Sequence, residues 1–138
     1  LSASADDEVY RAAFDRVVVP VLERYAPQLV LVSAGFDAHA RDPLAGMMLS
    51  DRGFGWMARA LSGLASKHAG GRIGLVLEGG YDLEGVERSL AASLRGLDHT
   101  AAPSSAETLG AARYELVSDT HRREIEAARE LASAIFRL

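Results

Sequence analysis

Two short apolar runs, Leu29–Ser33 (LVLVS) and Ile73–Leu77 (IGLVL), limit the folds open to this chain more than any other feature. Neither alternates apolar with polar residues, so each suits a strand buried on both faces of a parallel sheet. Each stops abruptly. The first runs into Gly35-Phe36-Asp37-Ala38-His39 and the second into Glu78-Gly79-Gly80-Tyr81. Open α/β sheets place their chemistry beyond the carboxyl ends of strands. Asp, His and Tyr at two such ends therefore mark a candidate site.

Helical segments surround the two runs. Ser50 can cap a helix over 51–68, whose stripe is Phe54, Met57, Ala58, Leu61, Leu64 and Ala65. Gly70 and Gly71 end it, and a second helix is predicted over 83–97. Upstream, residues 4–25 read as a helix with a capping-box pattern at Ser4 and Asp7, and Pro20 should kink or divide it. Strand, helix, strand, helix, with long connections, implies a parallel crossover and an α/β fold, part of a doubly wound sheet. Two strands are few for such a sheet, and the chain starts at Leu1 rather than Met. The expectation is the C-terminal portion of a larger domain over 1–100, a small-residue linker over 101–110 and a helical tail over 111–138. Ile125, Ala128, Leu131, Ala132 and Ile135 form the apolar stripe of that tail.

Composition closes several routes. The 138 residues contain no cysteine, so disulfides and thiolate metal sites are excluded and any metal must take His, Asp, Glu or water. The net charge of −4 shows no basic footprint, which argues against direct nucleic-acid binding. No apolar run approaches the roughly 20 residues that span a bilayer. No membrane partner and a cytoplasmic location are the resulting expectations.

Asp37, just past Gly35, can act as a hard ligand for a divalent ion or as a turn residue bonding nearby amides. His39 reads as a solvent-facing or supporting histidine, and Asp42 before Pro43 as a residue that ties the loop down. Leu44 can line a pocket mouth or simply pack. Gly79 and Gly80 allow close backbone approach, but neither a phosphate-loop lysine nor a dinucleotide fingerprint accompanies them. The Tyr81 phenol can donate to a developing oxyanion or serve as an amphipathic packing residue. His68, His99 and His121 read as solvated or capping residues.

Taken together, Leu29–His39, Asp42-Pro43-Leu44, Leu49-Ser50 with Gly53-Phe54, and Leu77-Glu-Gly-Gly-Tyr-Asp-Leu83 resemble the C-terminal portion of the histone deacetylase family. That family includes bacterial acetoin-utilisation deacetylases and acetylpolyamine amidohydrolases. The match runs in order and spacing from about Asp7 to Leu97 and is most similar to class II-like bacterial members. The resemblance implies the three-layer arginase-deacetylase α/β fold and a catalytic Zn2+. It also implies an acetylated amine as substrate: a protein lysine, a polyamine or a small metabolite. By the same resemblance Asp37 corresponds to a zinc-binding aspartate and Tyr81 to the tyrosine that polarises the acetyl carbonyl. Gly79 and Gly80 correspond to the glycine-rich loop beside the substrate channel, and Leu44 to a variable rim position. His39 matches no metal ligand.

The family's adjacent histidine pair has no counterpart, since no two histidines are neighbours here, and its upstream Asp-x-His ligands are not matched either. The 138 residues alone are therefore expected not to hydrolyse acetyl-amides. The competing expectation is a non-catalytic deacetylase-like binding or scaffold module.

Overall fold

The computed structural model describes residues 1–98 and 113–138. The linker expected over 101–110, His99 and the first residues of the tail lie outside them.

The N-terminal helical segment begins two residues later than the capping-box pattern suggests. Asp6 is the cap of α1 (Asp7–Ala13), accepting from the N–H groups of Glu8 and Val9 at 3.1 Å each. Ser4 instead sits in the left-handed region at φ 65°. The division expected at Pro20 takes the form of a π-helical turn, Phe14–Val18, leading into α2 (Val19–Tyr25). Proline has no N–H for the carbonyl one α-turn back, so the four-residue ladder cannot continue unbroken. The Val19 N–H reaches the Phe14 carbonyl instead, and the helix passes through one wide turn.

Strands β1 (Val30–Ala34) and β2 (Ile73–Leu77) pair in parallel, with Val30 opposite Ile73 and Ala34 opposite Leu77. Helix α3 (Asp51–His68) makes the crossover between them, and α4 (Leu83–Leu97) follows β2. Ser50 caps α3 as expected, accepting from the Gly53 N–H. It is itself held by Asp7, which accepts from the Ser50 N–H at 2.8 Å and from its hydroxyl at 2.6 Å. The capping-box acid thus reaches across to a different helix. Asp82 caps α4 through the Gly85 N–H at 2.7 Å.

One sheet face is covered: Val30, Val32 and Ile73 pack on Ala65 and Ala69 at the end of α3 and its cap. The other face is open among the described residues, with Leu31 70% and Val76 60% exposed. The expectation of strands buried on both faces is therefore not met here, because no described helix lies over that side.

Helices α3 and α4 approach closely through small residues. A side chain at Gly96 would collide with the Gly55 carbonyl, and the Ser62 hydroxyl donates to the Leu97 carbonyl at 2.9 Å. The last helix, α5 (Asp119–Phe136), returns to the N-terminal segment, where Ile125 and Val117 join Ala5, Val9 and Ala12 in a buried cluster. Contact is made through Ile125 and Ala132, so Ala128, Leu131 and Ile135 of the expected stripe stay exposed. His121 is buried rather than solvated, with its ring nitrogens beside the Ser118 hydroxyl (3.0 Å) and the Ser2 carbonyl (3.3 Å).

Two glycines in these helices should respond oppositely to alanine. Gly96→Ala overpacks the α3–α4 contact and should destabilise the fold by about 1–3 kcal/mol. Gly63→Ala fills open space on an exposed helical face and should stabilise it by up to about 1 kcal/mol. Thermal unfolding of both variants reads the two signs.

Candidate active site at two strand ends

The parallel pairing does not stop at the last ladder residues. The Glu78 N–H donates to the Ala34 carbonyl at 3.2 Å and the Phe36 N–H to the Gly79 carbonyl at 2.8 Å. The segments after β1 and β2 therefore leave the sheet side by side. Phe36, fully inward, packs with Leu49 and Phe54 beneath them and meets the Phe54 ring edge-on, centroids 5.1 Å apart. That buried cluster anchors the floor of the site.

Asp37 then stands against the glycine loop. A Cβ placed on Gly79 would lie 2.8 Å from Asp37 Oδ2, and one on Gly35 would lie 3.5 Å from Oδ1. The carboxylate occupies the space that a side chain at Gly79 would need, and lies within ordinary contact of Gly35. Gly80 has φ +131° and no room for a Cβ, which would meet Val86 Cγ2 at 2.5 Å. Gly79 is thus required by contact, and Gly80 by contact as well as by conformation. Asp37, Gly79 and Gly80, placed far apart in the chain, are brought together, and Tyr81 follows directly.

Tyr81 is 62% exposed, so it takes no part in the core of the described residues. Its backbone, by contrast, is pinned. The Tyr81 N–H donates to Asp42 Oδ2 at 2.8 Å, and the Leu44 N–H donates to Asp42 Oδ1 at 2.9 Å. Asp42 is nearly buried, and Leu44 projects outward at the loop tip. Burial pushes the Asp42 carboxyl up, but the N–H groups of Leu44, Tyr81 and Ala45 outweigh it and hold the group below its ordinary range.

Next door, Arg41 Nε donates to Asp82 Oδ1 at 2.9 Å and its guanidinium also meets Glu84 at 2.9 Å. This arginine went unnoticed in the sequence, where nothing marks a loop arginine as the partner of an acid 41 residues on. Tyr10 was missed too. Burial, and then the charge of Asp37, raises its phenol. Its position on a helix face gave no hint of that neighbour.

His39 is not solvent-facing but takes the supporting place that is its other reading. It is buried and lies nearly parallel to the Phe54 ring. Its Nδ1 accepts from the Arg41 N–H at 3.2 Å, which makes it part of the turn that carries Arg41 and Asp42.

Asp37 offers a carboxylate of the chemistry a zinc ion takes. Among the described residues, however, no three His, Cys, Asp or Glu side chains come together as a metal-holding group. A catalytic zinc needs about three protein ligands, so the described residues do not by themselves make such a site.

Comparison with known proteins places this arrangement. The histone deacetylase domain model matches residues 1–97. The chain belongs to the histone deacetylase family. A rice (Oryza sativa subsp. japonica) relative named histone deacetylase 10, chloroplastic, is 38% identical over 135 residues, which is 96% of this chain and 30% of that protein. The histone deacetylase-like amidohydrolase of Pseudomonas aeruginosa is 49% identical over 74 residues, 54% of this chain and 20% of the relative. The solved structure of the histone deacetylase Clr3 superposes with a TM-score of 0.80 at 30% identity, covering 96% of this chain and 20% of that one. The fold is accordingly the arginase-deacetylase α/β fold. The chain spans under a third of the length of each of these three proteins. No helix of the described residues is long and apolar enough to cross a membrane.

The Asp42 linkage has a pH signature. Its carboxyl lies lower folded than unfolded, so it stabilises the fold above the ordinary carboxylate value of about 3.9. That contribution is lost as pH falls through the lower native value. Asp42→Asn should therefore be less stable than the parent at pH 7, and the gap should narrow below about pH 4. Chemical unfolding at a series of pH values measures it.

Proposed function

We propose that these residues form one side of a deacetylase centre that hydrolyses an acetyl-amide to acetate and a free amine. The observation that supports this most is the Asp37 carboxylate seated against Gly79 with Tyr81 two residues further on. In this reading Tyr81 donates its phenolic hydrogen bond to the acetyl carbonyl oxygen and to the oxyanion that develops when water adds to the carbonyl carbon. The C–N bond then breaks, and the amine leaves with a proton. Gly79 and Gly80 line the approach of the substrate with bare backbone, and Leu44 stands at the rim.

Asp37 is assigned as one ligand of a zinc ion. Bound zinc supplies Lewis-acid polarisation and an activated water. The remaining ligands and the general base are assigned to residues outside the described ones. The substrate class is an acetylated amine, whether protein lysine, polyamine or small metabolite. A cytoplasmic location belongs to the same proposal. The rice relative is named chloroplastic, so cell fractionation decides between cytosol and organelle.

A second reading, a non-catalytic module of the same family, is favoured by the lack of a three-ligand cluster among the described residues. Metal content and turnover of the full-length protein separate the two.

In that protein, Tyr81→Phe should lower kcat by about 10²- to 10³-fold, as for loss of an oxyanion donor, with zinc content unchanged. Asp37→Asn should lower zinc content itself. Loss of metal in Tyr81→Phe, or full zinc in Asp37→Asn, would reverse the assigned roles. Elemental analysis beside steady-state kinetics reads both.

A further inference from the structure

We infer that Arg41 and Asp42 form a latch that positions Tyr81 for chemistry, an inference that rests on the function proposed above. A single carboxylate holds both loops: its two oxygens accept separately from the Tyr81 and Leu44 backbone N–H groups, at 2.8 and 2.9 Å. The neighbouring residue repeats the connection in reverse sense, with Arg41 donating to Asp82, the residue after Tyr81, at 2.9 Å. Two consecutive residues of the first loop therefore grip two consecutive residues of the second.

The need for such a grip follows from the surroundings of Tyr81. Its ring is exposed, so packing does not orient it within the described residues. It follows Gly79 and Gly80, and glycine leaves a backbone with wide freedom. Something must remove that freedom, because a hydroxyl displaced by about 1 Å loses catalytic effect on the order of 100-fold. The turn beneath the latch is itself fixed. The Asp42 N–H donates to the His39 carbonyl at 2.8 Å, and buried His39 accepts from the Arg41 N–H. The latch thus refers the position of Tyr81 to the floor of the site rather than to the glycine loop alone. Asp42 is a positioning residue: it touches backbone amides and acts through Tyr81.

The test is a double-mutant cycle in the full-length protein, with an acetyl-lysine aminocoumarin peptide as the probe. Asp42→Asn keeps size but turns one acceptor into a donor facing an N–H. It should lower kcat by about 10- to 100-fold with zinc content unchanged. In a Tyr81→Phe background the same change should lower kcat less than about threefold, because the hydroxyl it positions is gone. Equal losses in both backgrounds, which general structural damage gives, overturn the latch, as does full turnover of Asp42→Asn beside an impaired Tyr81→Phe. Full turnover of Tyr81→Phe overturns the proposed function and this inference with it. If Asp42→Asn fails to fold, exposed Arg41→Gln replaces it. A loss of kcat that vanishes in the Tyr81→Phe background supports the latch, and unchanged kcat overturns it.

Discussion

Everything at the site depends on the parallel pairing of β1 with β2, in the register that sets Val30 opposite Ile73 and Ala34 opposite Leu77. A parallel pair brings both carboxyl ends to the same edge of the sheet. The bonds Glu78 to Ala34 and Phe36 to Gly79 carry that register past the strands and into the loops. Slipping the register by one residue would turn Phe36 away from Leu49 and Phe54 and separate Asp37 from Gly79. The site is a consequence of the ladder, and α3, as the crossover, is what makes a parallel ladder possible.

Much of this was legible in the sequence. The two strands and the helices at 51–68 and 83–97 announce themselves by apolar runs, a serine cap and glycine stops, signals that act within a few residues. The juxtaposition of Asp37 with Gly79-Gly80-Tyr81 was legible because both groups close a strand in the same way. What escaped was set by partners distant in sequence. Asp7 looked like a local capping acid but binds Ser50. Arg41 and Asp82 gave no sign of each other. His121 reads as polar surface yet is buried under the N-terminal segment. Leu31 and Val76 carried the pattern of doubly buried strands and lie on an open face among the described residues. The pattern records what the strand is suited to, whereas burial depends on what is laid over it.

The chemistry divides in a similar way. These residues contribute an anionic ligand candidate, a hydrogen-bond donor and the backbone that spaces them. Family membership supplies the frame in which those parts make sense, and the chain spans less than a third of the relatives cited. The local geometry adds what membership does not. The glycines are steric requirements of Asp37 and of Val86 with Phe36, and Tyr81 is held by its backbone rather than by its ring.

The most direct measurement is a crystal structure of the full-length protein with zinc, using anomalous scattering at the zinc edge. The account predicts one zinc with an Asp37 carboxylate oxygen at about 2.0–2.2 Å and the Tyr81 hydroxyl facing the same metal centre. A zinc bound without Asp37, or a Tyr81 turned away from it, would contradict the claim that the two strand ends build one site.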